Sequence, residues 1–131
     1  MFLFEKEAVG YATVAKKRAE KKPERVYRCA ACGAAITTPA EAIAVGGDHA
    51  HTFVNPGGYI FRVGCFRDAP GCALSGDPTS EFTWFAGYTW NFALCGACRA
   101  HLGWGWSGGE SGDDLFYGLI LDRLTLGSSE K

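Results

Sequence analysis

Two cysteine pairs, Cys29-Ala30-Ala31-Cys32 ahead of Gly33 and Cys95-Gly96-Ala97-Cys98, limit what this chain can become. A C-x-x-C knuckle bends the backbone so that both thiolates reach one ion, and two knuckles supply the four sulfurs of a closed tetrahedral site. Zinc suits that donor set, one ion per chain, with Cys29, Cys32, Cys95 and Cys98 as ligands. A pair of disulfides or a redox dithiol would compete, but a redox motif wants a helix N-terminus to lower one thiol pKa, and these knuckles sit between strand-like segments. Four protein thiolates leave no open coordination position, so the metal is expected to pin the fold and do no chemistry.

The surroundings of the knuckles point to short strands. From Val26 onward, glycine and proline interrupt the sequence every few residues, which suits strands and turns better than long helices. Val26 to Arg28, Ala50 to Val54, Tyr59 to Val63, Phe82 to Phe85, Thr89 to Leu94, Leu102 to Trp106 and Phe116 to Leu126 read as strands, with Asn55-Pro56-Gly57-Gly58 as a turn. Residues 71–80 and 107–114 read as loops. Residues 5–22 differ: free of proline, acidic at Glu5 and Glu7, basic at Lys16 to Arg18 and Lys21-Lys22, they read as a helix whose charges suit its dipole and which stops at Pro23. The organisation expected is a basic helical arm over 1–25, a mainly β domain over 26–127 and a tail over 128–131.

Charge and hydropathy exclude several classes. Residues 1–28 carry eight Lys/Arg against four Glu, whereas residues 29–131 carry five against ten acidic residues. So acidic a globular part is a poor nucleic-acid binder, because affinity for phosphates comes mainly from Lys and Arg. No segment approaches the roughly 18 apolar residues of a membrane span. Met1 to Phe4 form too short an apolar stretch for a secretory signal, so no membrane partner and a cytoplasmic location are expected. Catalytic signatures are missing too: there is no G-x-S-x-G, no phosphate loop and no H-E-x-x-H. His49, His51 and His101 read as hydrogen-bonded structural histidines, and Cys65 and Cys72 as ordinary buried thiols.

Two aromatic segments set the chain apart from a generic metal-pinned β domain: Phe82-Thr83-Trp84-Phe85-Ala86-Gly87-Tyr88-Thr89-Trp90 and His101-Leu102-Gly103-Trp104-Gly105-Trp106, which hold all four tryptophans. Alternation puts Trp104 and Trp106 on one face of a strand. Trp84 and Trp90 flank a turn expected to fold them back as neighbours on adjacent strands. Indoles spaced by glycines can line a cage for something small and flat, or for a cation.

With Asn55-Pro56-Gly57-Gly58-Tyr59, the Trp84 to Trp90 segment, Cys95 to Cys98 and His101-Leu102-Gly103-Trp104 in this order, the chain resembles the CULT domain family, the thalidomide-binding domain at the C-terminus of cereblon. The likeness covers roughly residues 26–127, and the length resembles that of the stand-alone bacterial members. It implies a β-tent of two antiparallel sheets joined by zinc. It also implies a ligand site in which Trp84, Trp90 and Trp104 are walls, Trp106 occupies an aromatic position, the backbone around Phe82, Thr83 and Trp84 makes polar contacts, and Asn55 lies in the loop beside the pocket. Ligands of the family are glutarimides, related cyclic imides and uracil nucleosides, and a modified peptide terminus would belong to the same class. Two departures stand out: Phe82 replaces a histidine of cereblon, and Ala86 replaces the proline of the usual turn. The function expected is therefore a non-enzymatic binding module. A methyl-ammonium reader, with Glu81 adding charge, and a methionine sulfoxide reductase B-like or hydrolytic enzyme are the alternatives. A ubiquitin-ligase adaptor is not expected as a partner, because 131 residues leave no room for cereblon's other domains.

Overall fold

A computed structural model describes residues 25–128, and all of the expected helical arm but Arg25 and all of the tail but Ser128 lie outside the described residues. Among the described residues nine strands follow one another: β1 (Arg25–Cys29), β2 (Ala35–Thr37), β3 (Ala50–Val54), β4 (Ile60–Phe66), β5 (Cys72–Thr79), β6 (Tyr88–Cys95), β7 (His101–Gly108), β8 (Asp114–Ile120) and β9 (Leu124–Ser128). They form two antiparallel sheets, a small one in the order β9-β1-β2 and a large one in the order β3-β4-β8-β7-β6-β5. Single 3₁₀ turns at Pro39–Glu41 and Leu121–Arg123 are the helical pieces among the described residues. The second of these carries the chain from β8 in the large sheet to β9 in the small one.

The central strands of the large sheet carry apolar groups on both faces. One face meets the small sheet through Cys29, Ile36, Phe66, Leu102, Leu119 and Leu124. The other gathers Val63, Cys65, Trp104, Trp106, Phe116 and Ile120, with Trp84, Phe85 and Trp90 packed against them. Leu102 and Trp104 belong to opposite faces although they are two residues apart. The cause is a bulge: Ala93 pairs with Gly103 but Leu94 pairs with His101, so β7 spends one extra residue there and its alternation flips.

Four expectations need correction. Phe82 to Phe85 is not a strand; residues 80–87 form an irregular loop, and β6 begins only at Tyr88. High β-propensity loses here because Trp84 and Phe85 gain more by turning into the second core than by pairing. Trp84 and Trp90 are consequently not neighbours across a ladder. Residues 71–80, read as a loop, contain β5, an edge strand whose Gly76-Asp77-Pro78 segment bulges out between the Ser75–Phe92 and Thr79–Trp90 pairs. The single run expected from Phe116 to Leu126 is split by the Leu121–Arg123 turn into strands of different sheets.

Candidate functional site

The two knuckles meet where the sheets join. Each is built alike: Gly33 N–H donates to the Cys29 carbonyl and Arg99 N–H to that of Cys95, both at 2.8 Å, with Gly33 and Arg99 at φ of 83° and 70°. A left-handed residue closes each turn, easily at glycine and at some strain at Arg99. The four sulfurs lie within 4.8 Å of one another. Cys29 and Cys98 are 3.7 Å apart, Cys32 and Cys95 3.6 Å. Metal–sulfur bonds of about 2.3 Å put the corners of a tetrahedron roughly 3.8 Å apart, so this donor set fits a zinc-sized ion. Burial alone would push the Cys95 thiol up, but the amides of Cys98 and Ala97, aimed at its sulfur, bring it down to about 7. Cys32 behaves oppositely. The Ala34 amide pulls it down, yet burial and the three neighbouring thiols lift it to about 11. Crowding of this kind is relieved when a cation takes the protons' place.

On the other face of the large sheet a cavity of about 320 Å³ is lined by Asn55, Pro56, Phe61, Phe82, Trp84, Trp90, Phe92, His101, Trp104 and Trp106. Trp84 and Trp104 stand at 81° with ring centroids 4.9 Å apart, two walls of a corner. Trp84 reaches in from the loop and is held from behind by Phe53, stacked on it at 4.4 Å. Trp90 and Trp104 rise from neighbouring strands, and the indole N–H of Trp90 donates to the Glu81 carbonyl at 2.7 Å, tying the loop to β6. Trp106 is 1% exposed and forms a floor, its indole N–H without a partner among the described residues. No charged side chain is among the lining residues.

The loop brings backbone polarity to this apolar corner. Thr83 N–H donates to the Ser80 carbonyl at 3.3 Å and the Thr83 hydroxyl to the Phe85 carbonyl at 3.2 Å, fixing the turn. The Phe82 carbonyl and the Trp84 N–H, by contrast, take no partner among the described residues. Phe82 sits at φ 55°, a left-handed conformation that a bulky residue adopts at a cost of about 1–2 kcal/mol. The residue is 69% exposed, at the rim. Thr83 does not line the cage; with Val54, Asn55 and Pro56 it borders an outer groove. In the turn between β3 and β4 the Asn55 side-chain oxygen accepts the Tyr59 N–H at 2.9 Å, which leaves the amide nitrogen of Asn55 unused.

All three histidines are hydrogen-bonded to backbone carbonyls, as expected. His101 does more, because it also lines the cage. The β7 bulge turns it to the face of Trp104, where its ring lies 5.1 Å from Trp104 and 5.3 Å from Phe92, edge-on to both. Burial lowers its pKa; the hydrogen bond to the Gly103 carbonyl opposes this, and the Arg123 charge adds a smaller push downward. Sequence reasoning missed His101, Pro56, Phe61 and Phe92 as lining groups. Phe92 was within reach of it, since alternation from Trp90 puts both on one face.

No family model matches the chain. Among curated proteins it is similar to cereblon of Drosophila pseudoobscura pseudoobscura, 30% identical over 82% of this chain and 18% of that protein. Cereblon of Drosophila willistoni is 31% identical over 81% of this chain and 18% of its own length, and that of Drosophila melanogaster 27% over 84% and 20%. The chain thus spans about a fifth of the length of the curated relatives it matches. This corrects the exclusion of a ubiquitin-ligase adaptor, which rested on chain length. The relatives are cereblons, and a chain that matches one part of them excludes no such partner by being short.

Proposed function

The chain belongs to the CULT domain family that cereblon carries, and from that premise we propose that it is a non-enzymatic binding module whose tryptophan cage takes a cyclic imide or a uracil-like ring. One observation carries the reading: an uncharged aromatic corner, Trp84 against Trp104, stands beside a backbone carbonyl at Phe82 and an N–H at Trp84 that take no partner among the described residues. A cyclic imide presents an acceptor–donor–acceptor edge that backbone groups of this kind complement. Its ring methylenes, polarised by the adjacent carbonyls, suit the negative faces of indoles. The replacement of cereblon's histidine by Phe82 removes a side-chain contact and leaves these backbone groups in place. At about 320 Å³ the cavity is at the small end for ligand sites, which matches a single ring with its substituent outside.

The alternatives are less well supported. A methyl-ammonium reader gains from a carboxylate, and Glu81 contributes its backbone carbonyl to Trp90 while its side chain is not among the lining groups. A thiol reductase needs a reactive thiolate; burial pushes Cys65 up to about 11, and burial with the nearby Cys95 and Cys29 pushes Cys72 up to about 12. We assign zinc to the four-cysteine centre, where it would hold the two sheets together with every coordination position filled by protein.

Tryptophan fluorescence titrations with a glutarimide, its N-methyl derivative, uridine and a trimethylammonium compound test the reading. N-methylation removes the only donor and leaves a backbone carbonyl unpaired, at about 1–3 kcal/mol, so the parent imide should bind at least tenfold more tightly. Equal binding of the two imides, or tighter binding of the ammonium, would overturn it.

A further inference from the structure

Arg123 ends the 3₁₀ turn between β8 and β9, is exposed, and lies outside the cage, yet two of the rings that flank Trp104 depend on it. Its guanidinium donates to the His101 carbonyl at 2.9 Å, approaches His101 Nδ1 at 3.4 Å, and sits over the Phe61 ring at 5.8 Å from the centroid. No carboxylate forms an ion pair with it among the described residues. The chemistry of the partners fixes the histidine. A guanidinium has no acceptor, so Nδ1 must accept from it; the Gly103 carbonyl has no donor, so Nε2 must carry the hydrogen at 2.9 Å. His101 is therefore a neutral Nε2–H tautomer held at both nitrogens. His101 and Phe61 in turn meet Trp104 edge-on, at 5.1 Å and 5.4 Å. The Arg123 carbonyl also accepts the Ala30 N–H at 3.0 Å, which anchors the arginine's backbone to the first knuckle.

We propose that Arg123 is the positioning residue of the cage: from outside the cavity it locks His101 in one tautomer and braces Phe61, and these two rings set the tilt of Trp104. The proposal rests on the ring-binding reading for its effect on affinity but not for its effect on His101. Arginine is suited to the task because one planar cation can donate in its plane and lie over an aromatic ring with its face. A lysine keeps the charge and donors but loses the planar contact with Phe61.

The test is nitrogen-15 NMR of the full metal-loaded chain together with fluorescence titration using the unsubstituted glutarimide, on Arg123→Met and Arg123→Lys. In the native chain His101 should show a non-protonated Nδ1 and a protonated Nε2. Arg123→Met should give a mixture of tautomers and a loss of affinity of at least tenfold at unchanged metal content, and Arg123→Lys should keep the tautomer and fall between. A protonated Nδ1 in the native chain overturns the proposal, and so does an Arg123→Met chain with native His101 signals and native affinity. If the native chain binds no imide, the ring-binding reading fails while the tautomer measurement still decides the role of Arg123. If Arg123→Met does not fold, the native spectrum and the lysine variant decide it.

Discussion

Trp106 is positioned by shape alone. A Cβ added at Gly118 would lie 2.9 Å from its indole nitrogen and 3.0 Å from a methyl of Val63, so the strand beside it has to be bare at that point. With its N–H unpartnered, the indole has no hydrogen bond to resist displacement. Gly118→Ala should therefore push the ring towards the cavity and cost about 1–3 kcal/mol, the range for overpacking a core. Urea unfolding and imide titration measure the two effects, and a variant unchanged in both would mean that the site has slack. His101 offers a second test at this scale. Its pKa is lowered, burial being the main cause, so the folded chain binds fewer protons there than the unfolded chain does. Stability then rises with pH where the two differ: it is level above the ordinary histidine range and falls as pH drops below about 6.5 towards the folded value. His101→Gln should flatten that part of the stability profile, and an unaltered profile would assign the slope to another group.

The knuckles were legible in the sequence because their geometry is local: four residues fix where two sulfurs point, whatever the rest of the chain does. The tryptophans were legible for a related reason, being confined to two short segments that any fold must keep close. What could not be read depended on pairing. His101 reaches the cage only because β7 spends an extra residue opposite β6, and strict alternation from Trp104 would send it to the other face. Phe82 to Phe85 has the composition of a strand, yet Trp84 leaves the ladder to stack on Phe53, a residue about thirty positions earlier. β5 hides behind Gly76, Asp77 and Pro78 because an edge strand tolerates what a central one does not. Since the knuckles link the β1–β2 turn to the β6–β7 turn, they clamp the small sheet to the large one. Structural zinc in small modules contributes roughly 10–16 kcal/mol, against about 5–15 kcal/mol for the net stability of a domain. Cys95→Ser should accordingly yield an unfolded chain without bound metal, as read by circular dichroism and metal analysis, and a folded, metal-free variant would show that the cores suffice.

At the scale of the whole molecule, the four-cysteine centre and the cage lie on opposite sides of the large sheet, whose Cys95 belongs to the first and whose Trp104 and Trp106 belong to the second. The two sites share no ligand, so any coupling between them runs through folding. If the apo chain unfolds, metal and ring both bind only the folded state, and each must raise the apparent affinity of the other. The size follows from mass action: ligand at about a hundred times its dissociation constant stabilises the folded state by roughly 2.7 kcal/mol, which equals about a hundredfold in apparent metal affinity. The measurement is a chelator titration followed by circular dichroism, with and without glutarimide. Its midpoint should move to a higher free chelator concentration, by up to about a hundredfold, when ligand is present. Trp104→Ala removes a wall of the cage and none of the metal site, so its midpoint should ignore the ligand. A native chain that keeps its circular dichroism after verified metal removal would mean that the domain stays folded without its metal. In that case the apolar contact through Ile36, Phe66, Leu102, Leu119 and Leu124 suffices to hold the small sheet to the large one.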